Sequence, residues 1–167
     1  MINHKKKNYG FSLLETTVAV AVLVMGVVAP LSLASQSIKS AAVSRNDITV
    51  ANLAEEGLEL IKNYRANNLL QGKTWLSDMA FCFDVNGCEI DPVSLNIQAC
   101  SSSCDFLKFD SSLGLYNYNV GQNSIFKRTI KIINIDPSRE VQINVSLSWD
   151  DRFGNHNFNL KTSMLDW

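Results

Sequence analysis

Two groups of side chains in this chain of 167 residues have types and spacings that could do chemistry: an isolated carboxylate near the N-terminus and four cysteines further on. Glu15 is followed by residues 16–38, none of which is charged. A carboxylate beside so apolar a segment costs free energy unless it faces a partner. We therefore predict that the Glu15 carboxylate pairs with another group. Ser12 offers a local partner, because Ser12-Leu13-Leu14-Glu15 has the spacing of a capping box at a helix start.

The uncharged segment has the length of a membrane span. At 1.5 Å per residue, its roughly 23 positions form a helix long enough to cross the ~30 Å hydrocarbon core of a bilayer. Three lysines at positions 5–7 precede it, and Lys39 and Arg45 follow it. Because the denser positive cluster stays in the cytoplasm, we predict a single-pass membrane protein with residues 11–38 in lipid and the C-terminal domain outside.

The order of these parts resembles the N-terminus of the type IV prepilins and type II secretion pseudopilins. That signature is a short basic leader ending in Gly, then Phe, then a Glu five residues into the mature chain, here the lysines at 5–7, Gly10, Phe11 and Glu15. The resemblance covers about the first thirty residues. It implies that residues 1–10 are a leader, that a prepilin peptidase cuts between Gly10 and Phe11, and that Phe11 is then N-methylated.

The same resemblance gives Glu15 a role in assembly. The methylated amine of Phe11 would pair with Glu15 of a neighbouring subunit in a low dielectric, and this pair would set the register of the filament. A capping box in the monomer is compatible with that role. The resemblance also names the partners: the prepilin peptidase, other pilin or pseudopilin subunits, the assembly platform and membrane lipid.

A secretory signal peptide is the alternative interpretation of this N-terminus. A lysine-rich head, an apolar run and Ser32-Leu33-Ala34 before a cut near Ala34 also fit that class. The product would be a secreted or membrane-anchored binding domain that does not polymerise. Two features favour the filament subunit: Glu15 interrupts the start of the apolar region, and the helical pattern continues through Ala34 without a break.

Helical spacing continues beyond the membrane segment, so we predict one helix over residues 11–67, with residues 39–70 as its amphipathic continuation. Gly26 and Pro30 predict a kink, and the resemblance implies that this region loosens when subunits leave the bilayer. Glu59 and Lys62 are spaced to pair on the exposed face. The apolar positions of the continuation are Ile38, Ala41 or Ala42, Ile48, Ala51, Leu58, Ile61 and Tyr64.

The C-terminal third has the alternation of β-strands. Apolar and polar residues alternate over 141–149 and 158–164, with a hairpin loop at 150–157 between them. Residues 125–135 predict another strand, with a bulge or burial on both faces near Ile132-Ile133, followed by a turn at 136–139. Residues 116–120 predict a fourth, shorter strand. The predicted fold is therefore α+β: a small antiparallel sheet packed on the helix's C-terminal half, within an external domain of residues 71–167.

Four cysteines, Cys82, Cys88, Cys100 and Cys104, lie in the loop region 72–121 of the external domain. An even number in an oxidising compartment predicts two disulfides. Three connectivities are open: the local pairs Cys82–Cys88 and Cys100–Cys104 are the simplest, and nested pairing is the alternative. A zinc site is disfavoured, because the five-residue spacer of the first pair exceeds the usual two to four.

Catalytic and nucleic-acid-binding motifs are missing from the sequence. The two histidines are His4 and His156, and no phosphate loop or nucleophile motif occurs. A net charge of −1 predicts no nucleic-acid partner. We interpret basic residues such as Arg128 as ordinary surface charge. The sequence thus predicts a non-enzymatic subunit without cofactor or metal. The segment 126–130 and the strand ending in Trp149 resemble minor pilins of the pilus-modification type.

Overall fold

The structure, a computed structural model, describes residue 10, residues 12–136 and residues 139–166. One long helix precedes seven strands, and a boundary between two compact units lies between Asn46 and Asp47. The elements are α1 (Leu13–Leu70), a 3-10 helix (Ala80–Phe83), β1 (Cys88–Ile90), β2 (Ile97–Ala99), β3 (Phe106–Asp110), β4 (Leu115–Asn117), β5 (Gln122–Asp136), β6 (Glu140–Asp151) and β7 (Gly154–Leu165).

The first unit is the N-terminal part of α1. Every residue from Ser12 to Ala41 is exposed, including the large apolar side chains. Among the described residues, one helix is long and apolar enough to cross a membrane. This helix is α1, and it lies near the N-terminus. Soluble proteins rarely expose apolar patches of this size. The helix runs through Gly26 and Pro30 without interruption, and the kink stays a prediction.

The second unit contains the antiparallel sheet. β5 is its central strand and pairs with β1, β3 and β6. β2 pairs with β1, β4 with β3 and β7 with β6, and all these pairs are antiparallel. The predicted α+β fold is therefore confirmed. The sheet has seven strands where three or four were predicted, because β1, β2 and β3 are short strands within the region predicted as loops.

The core of the second unit lies between the C-terminal part of α1 and the inward face of the sheet. Gly57 allows the close approach: a Cβ there would lie 3.0 Å from Val145 Cγ1 and 3.1 Å from Arg128 Cδ. The packing of the helix's C-terminal half on the sheet is thus confirmed, but the predicted apolar face is wrong in part: Ile38 and Ile48 are each 64% exposed, and of the predicted positions Ile61 alone is buried. The buried residues include Val50, Leu53, Ala54, Leu60 and Ile61 of α1, with Cys88, Ile90, Leu107, Phe126, Ile130, Ile132, Val141, Ile143, Val145, Leu147, Trp149 and Met164 of the sheet.

Two predicted details of the strands are wrong. The loop at 150–157 is a two-residue turn, Arg152-Phe153, because the ladder continues to the pair Asp151 and Gly154. Polar side chains on the outward face do not interrupt backbone pairing. The bulge near Ile132-Ile133 is also absent: both residues pair in register with β6, and the register shift lies between Asn134 and Asp136.

The predicted ends of two further elements shift by a few residues. α1 ends at Leu70 and not at 67, and Gly72 follows with a φ of 68°. The fourth strand, predicted at 116–120, is β4. Of the predicted turn at 136–139, residues 137 and 138 lie outside the described residues, and the Arg139 N–H donates to the Asp136 carbonyl at 2.9 Å.

Candidate functional site

Gly10 precedes the helix in an open position. It is exposed, and a Cβ built on it would meet no atom within 4 Å. The packing of the described residues therefore does not require glycine at this position. Phe11 and the lysines at 5–7 lie outside the described residues.

Ser12 and Glu15 form one half of the predicted capping box. The Glu15 N–H donates to Ser12 Oγ at 3.2 Å, and the Thr16 N–H donates to the Ser12 carbonyl at the same distance. No hydrogen bond of the Glu15 carboxylate is present within the described chain. A carboxylate in the first helical turn is favoured by the helix dipole. Glu15 is thus accommodated at the helix start and remains exposed to a partner.

The hydroxyls in the first turns bond within the helix. Thr16 Oγ1 donates to the Leu13 carbonyl and Thr17 Oγ1 to the Leu14 carbonyl, each at 2.9 Å. Such bonds satisfy hydroxyls where water is absent, as a bilayer requires. Between Thr17 and Ile38 the side chains that remain are mostly apolar and exposed. Glu15 is therefore the one ionisable group of residues 13–38.

The cysteines form the two local disulfides, Cys82–Cys88 and Cys100–Cys104. All four are buried, and the nested alternative is wrong. The pairs are joined by the ladder of β1 and β2 and by the Cys100 N–H, which donates to the Gly87 carbonyl at 3.0 Å. Glu89 lies within 4.8 Å of the Cys100 and Cys104 sulfurs, but both sulfurs are oxidised, so this cluster offers no thiolates to a metal.

The interpretation of Arg128 as ordinary surface charge is wrong. Its side chain is fully buried and reaches three acceptors from two elements. Nη1 donates to the Leu53 carbonyl at 3.1 Å and to Glu56 Oε2 at 2.6 Å, and Nη2 donates to the Ile90 carbonyl at 3.0 Å. The sequence contained a signal for this burial, because Arg128 occupies an inward position between Phe126 and Ile130 in the alternation of β5.

A second buried polar cluster fixes the loops against β5. Tyr118 Oη donates to the Arg128 carbonyl at 3.2 Å, and burial raises the pKa of this phenol to about 12. Asp91 accepts the backbone N–H groups of Val93, Ser94 and Tyr118. Burial alone would raise the pKa of Asp91, but these bonds together outweigh it and lower the pKa. Val93 and Ser94 are local partners of Asp91, whereas Tyr118 is 27 residues away, and sequence patterns do not detect that contact.

The end of the β6–β7 hairpin holds the acidic pair Asp150-Asp151. Asp151 lies near the His156 ring, with Oδ1 3.2 Å from Nε2, and also accepts the Phe153 N–H at 2.7 Å. The His156 ring stacks on Trp149, with ring centroids 5.1 Å apart. Asp150 is exposed at an outward position of β6, and because side chains alternate along a strand the two adjacent carboxylates lie on opposite faces.

Comparisons with known proteins yield no relative. No model of a protein family matches this chain, no curated protein is similar to it, and no solved structure resembles it.

Proposed function

We propose that this chain is a membrane-inserted structural subunit, a minor pilin or pseudopilin, of a type IV pilus or type II secretion-like filament. A prepilin peptidase removes residues 1–10 and methylates the amine of Phe11. The subunit waits in the membrane with its N-terminus cytoplasmic and its β-domain outside. It then enters the filament through its N-terminal helix and acts by assembly, without catalysis.

The observation that carries this proposal is the environment of Glu15. It is an exposed carboxylate at the start of a helical segment whose large apolar side chains are also exposed. Apolar surface of this length is stable only in lipid or against other helices. A carboxylate in such a setting is costly unless a cation meets it, and within the described chain no cation does. In our proposal the partner comes from another molecule.

Phe11 of a neighbouring subunit supplies that cation in our proposal. An α-amino group is largely protonated near neutral pH, because its reference pKa is about 8. Pairing occurs in one register only, since a shift would leave both charges unpaired in a medium of low dielectric. The exposed apolar faces then pack helix on helix, while the β-domain, stabilised by two disulfides and the Arg128 cluster, forms the surface of the filament.

The N-terminus of the mature chain tests the processing step. The full chain is expressed in a bacterium with a prepilin peptidase, and the membrane and shed fractions are analysed by mass spectrometry. We expect a mature chain that begins with N-methylated Phe11. A chain that begins near Ser35 would show a secreted domain and contradict the proposal, and so would an intact leader.

The variant Glu15→Ala tests the assembly step. We expect normal cleavage but at least a tenfold loss from the sheared filament fraction, which corresponds to about 1.4 kcal/mol or more per subunit. Glu55→Ala is the matched control, because Glu55 is an exposed carboxylate of the same helix within the second unit. Equal amounts of both variants in the filament fraction would contradict the ion-pair mechanism.

A further inference from the structure

One cleft on the outward face of the sheet has the composition of a ligand site, independent of filament assembly. It lies beside the β6–β7 turn and has a volume of about 350 Å³. One row of paired residues crosses four strands here, and a second row lies next to it. The first row is Phe106, Lys127, Ser148 and Asn157, and the second contains Ile125, Asp150 and Asn155.

The two rows belong to the face of the sheet that does not contact the helix. Their neighbours along the strands, such as Leu107 and Trp149, are buried in the core, so alternation directs the two rows outward. At one end of the cleft, Phe106 and Ile125 form an apolar platform and are 42% and 41% exposed. Lys127 Nζ lies over the Phe106 ring, 4.4 Å from its centroid, so its charge covers one face of this ring and leaves the ring edge and Ile125 as the apolar surface on this side.

The other end of the cleft is lined by polar side chains that have no hydrogen-bond partner within the described residues. Asp150, Asn155 and Asn157 are exposed, and their side chains form no hydrogen bond within the described residues. An amide side chain donates and accepts, a carboxylate accepts, and the Lys127 ammonium donates. Neighbouring strands lie about 4.8 Å apart, so apolar, cationic and amide groups follow one another over roughly 14 Å.

These groups restrict the chemistry of the ligand. An ammonium compound offers no acceptor for Lys127 or for the amides, and a phosphate offers donors only when protonated and is repelled by Asp150. A polyhydroxylated ring meets every requirement: its hydroxyls donate and accept, and its C–H face packs on an aromatic ring. A peptide also donates and accepts, but peptides usually bind a sheet at an edge strand, and this cleft lies on a face.

We propose that this cleft binds a free neutral hexose. Phe106 and Ile125 contact the C–H face of the sugar, and Asp150, Asn155 and Asn157 bind its hydroxyls. This inference goes beyond the proposed function and does not depend on it, because the binding surface is complete in one copy of the chain.

The test uses the full chain, unassembled, in a zwitterionic detergent that contains no sugar. Glucose, galactose, mannose and N-acetylglucosamine are each titrated and observed by saturation-transfer difference NMR. We expect at least one of them to bind with a Kd on the order of 1–10 mM, a range typical of small shallow sites. Phe106→Ala and Asp150→Ala should each weaken that binding about tenfold or more.

Two control variants separate the cleft from the rest of the surface. Phe81→Ala removes an aromatic side chain that is 53% exposed elsewhere, and Glu55→Ala removes an exposed carboxylate of the helix. Both should keep the affinity within about twofold of the unchanged chain. The thermal unfolding midpoint of each variant shows whether it is folded, and Asp150→Ala carries the test if Phe106→Ala is not.

Three outcomes would overturn the proposal. They are no saturation transfer to any of the four sugars up to about 50 mM, equal loss of binding in the cleft and control variants, and transfer to a short polar peptide but not to the sugars. Filament assembly is measured separately, so a failure here leaves the processing and Glu15 experiments unaffected.

Discussion

Arg128 Nη1 lies 2.6 Å from Glu56 Oε2, and this ion pair joins the central strand of the sheet to the C-terminal part of α1. The guanidinium is fully buried, whereas the Glu56 side chain is 34% exposed. Two backbone carbonyls, of Leu53 and Ile90, accept its other hydrogen bonds. A buried charge with several acceptors is stable only while they all remain, so Arg128 fixes the relative position of helix, β1 and β5.

Arg128→Met is therefore expected to lower the free energy of unfolding by about 3–5 kcal/mol. The methionine fills much of the volume, but the carbonyls of Leu53 and Ile90 lose their donors in the core. Glu56→Gln should also destabilise the domain: the amide still accepts a hydrogen bond, but the fully buried guanidinium loses its counter-charge. Urea denaturation followed by circular dichroism measures both.

Lys161→Met is the control for these two variants, because Lys161 is exposed on β7 and should change stability by no more than about 0.5 kcal/mol. A loss in Arg128→Met as small as that of Lys161→Met would show that the buried pair does not stabilise the domain.

Arg128 also shows how far the sequence predicted this fold. The long helix and the strands β5, β6 and β7 have enough residues for their periodicity to be read, and each was predicted. Arg128 occupies an inward position of that same periodicity, but its residue type suggested a surface side chain. The short strands β1, β2 and β3 contain too few residues to show a period, and their pairing depends on contacts distant along the chain.

The candidate sites differ in the same way. Gly10, Phe11 and Glu15 are close together in sequence, so their resemblance to the prepilin N-terminus is visible without a structure, and processing and assembly are what that resemblance implies. The cleft at Phe106 and Asp150 brings together residues of four strands, and only the register of the sheet places them side by side. A sequence pattern therefore detects a local arrangement such as that of Gly10, Phe11 and Glu15, and it misses the cleft, which depends on tertiary structure.

Gly57→Ala is expected to destabilise the domain by about 1 kcal/mol. Alanine favours a helix by about 1 kcal/mol over glycine, but the new Cβ would lie 3.0 Å from Val145 Cγ1 and 3.1 Å from Arg128 Cδ. Overpacking of this kind costs about 1–3 kcal/mol, and Arg128 cannot move without breaking its hydrogen bonds. Thermal and urea unfolding measure the balance.

Ala66→Gly provides the comparison for Gly57→Ala at an exposed position of the same helix, where propensity alone should cost about 1 kcal/mol. A stabilising effect of Gly57→Ala would mean that the helix and the sheet have room for a methyl group between them.

Removal of the disulfide Cys100–Cys104 by the double variant Cys100→Ala/Cys104→Ala should lower the free energy of unfolding by about 2 kcal/mol, because a short closed loop restricts the unfolded chain. The matched variant Cys82→Ala/Cys88→Ala should have a similar effect, since its loop is nearly as short. Peptide mapping without reductant checks the connectivity. Peptides that link Cys82 or Cys88 to Cys100 or Cys104 would contradict both pairings.

The lowered pKa of Asp91 predicts that the free energy of unfolding falls in acid. Burial alone would raise its pKa, but hydrogen bonds from Ser94, Tyr118 and Val93 together outweigh burial and lower the pKa below its ordinary value of 3.8. The unfolded chain therefore takes up this proton at a higher pH than the folded chain. The contribution of Asp91 is complete above pH 3.8 and is lost as the pH falls below it through the lowered pKa.

Asp91→Asn isolates this contribution. Burial raises the pKa of nearby Glu89, which gives the opposite pH dependence, so the difference between the unchanged chain and the variant is the useful quantity. We expect Asp91→Asn to be less stable at neutral pH, because its amide replaces an acceptor of several N–H groups, and to approach the unchanged chain as the pH falls below 3.8. Urea unfolding at a series of pH values measures this difference, with Glu55→Gln as an exposed control. A difference that is constant with pH would show that the hydrogen bonds at Asp91 do not depend on its charge.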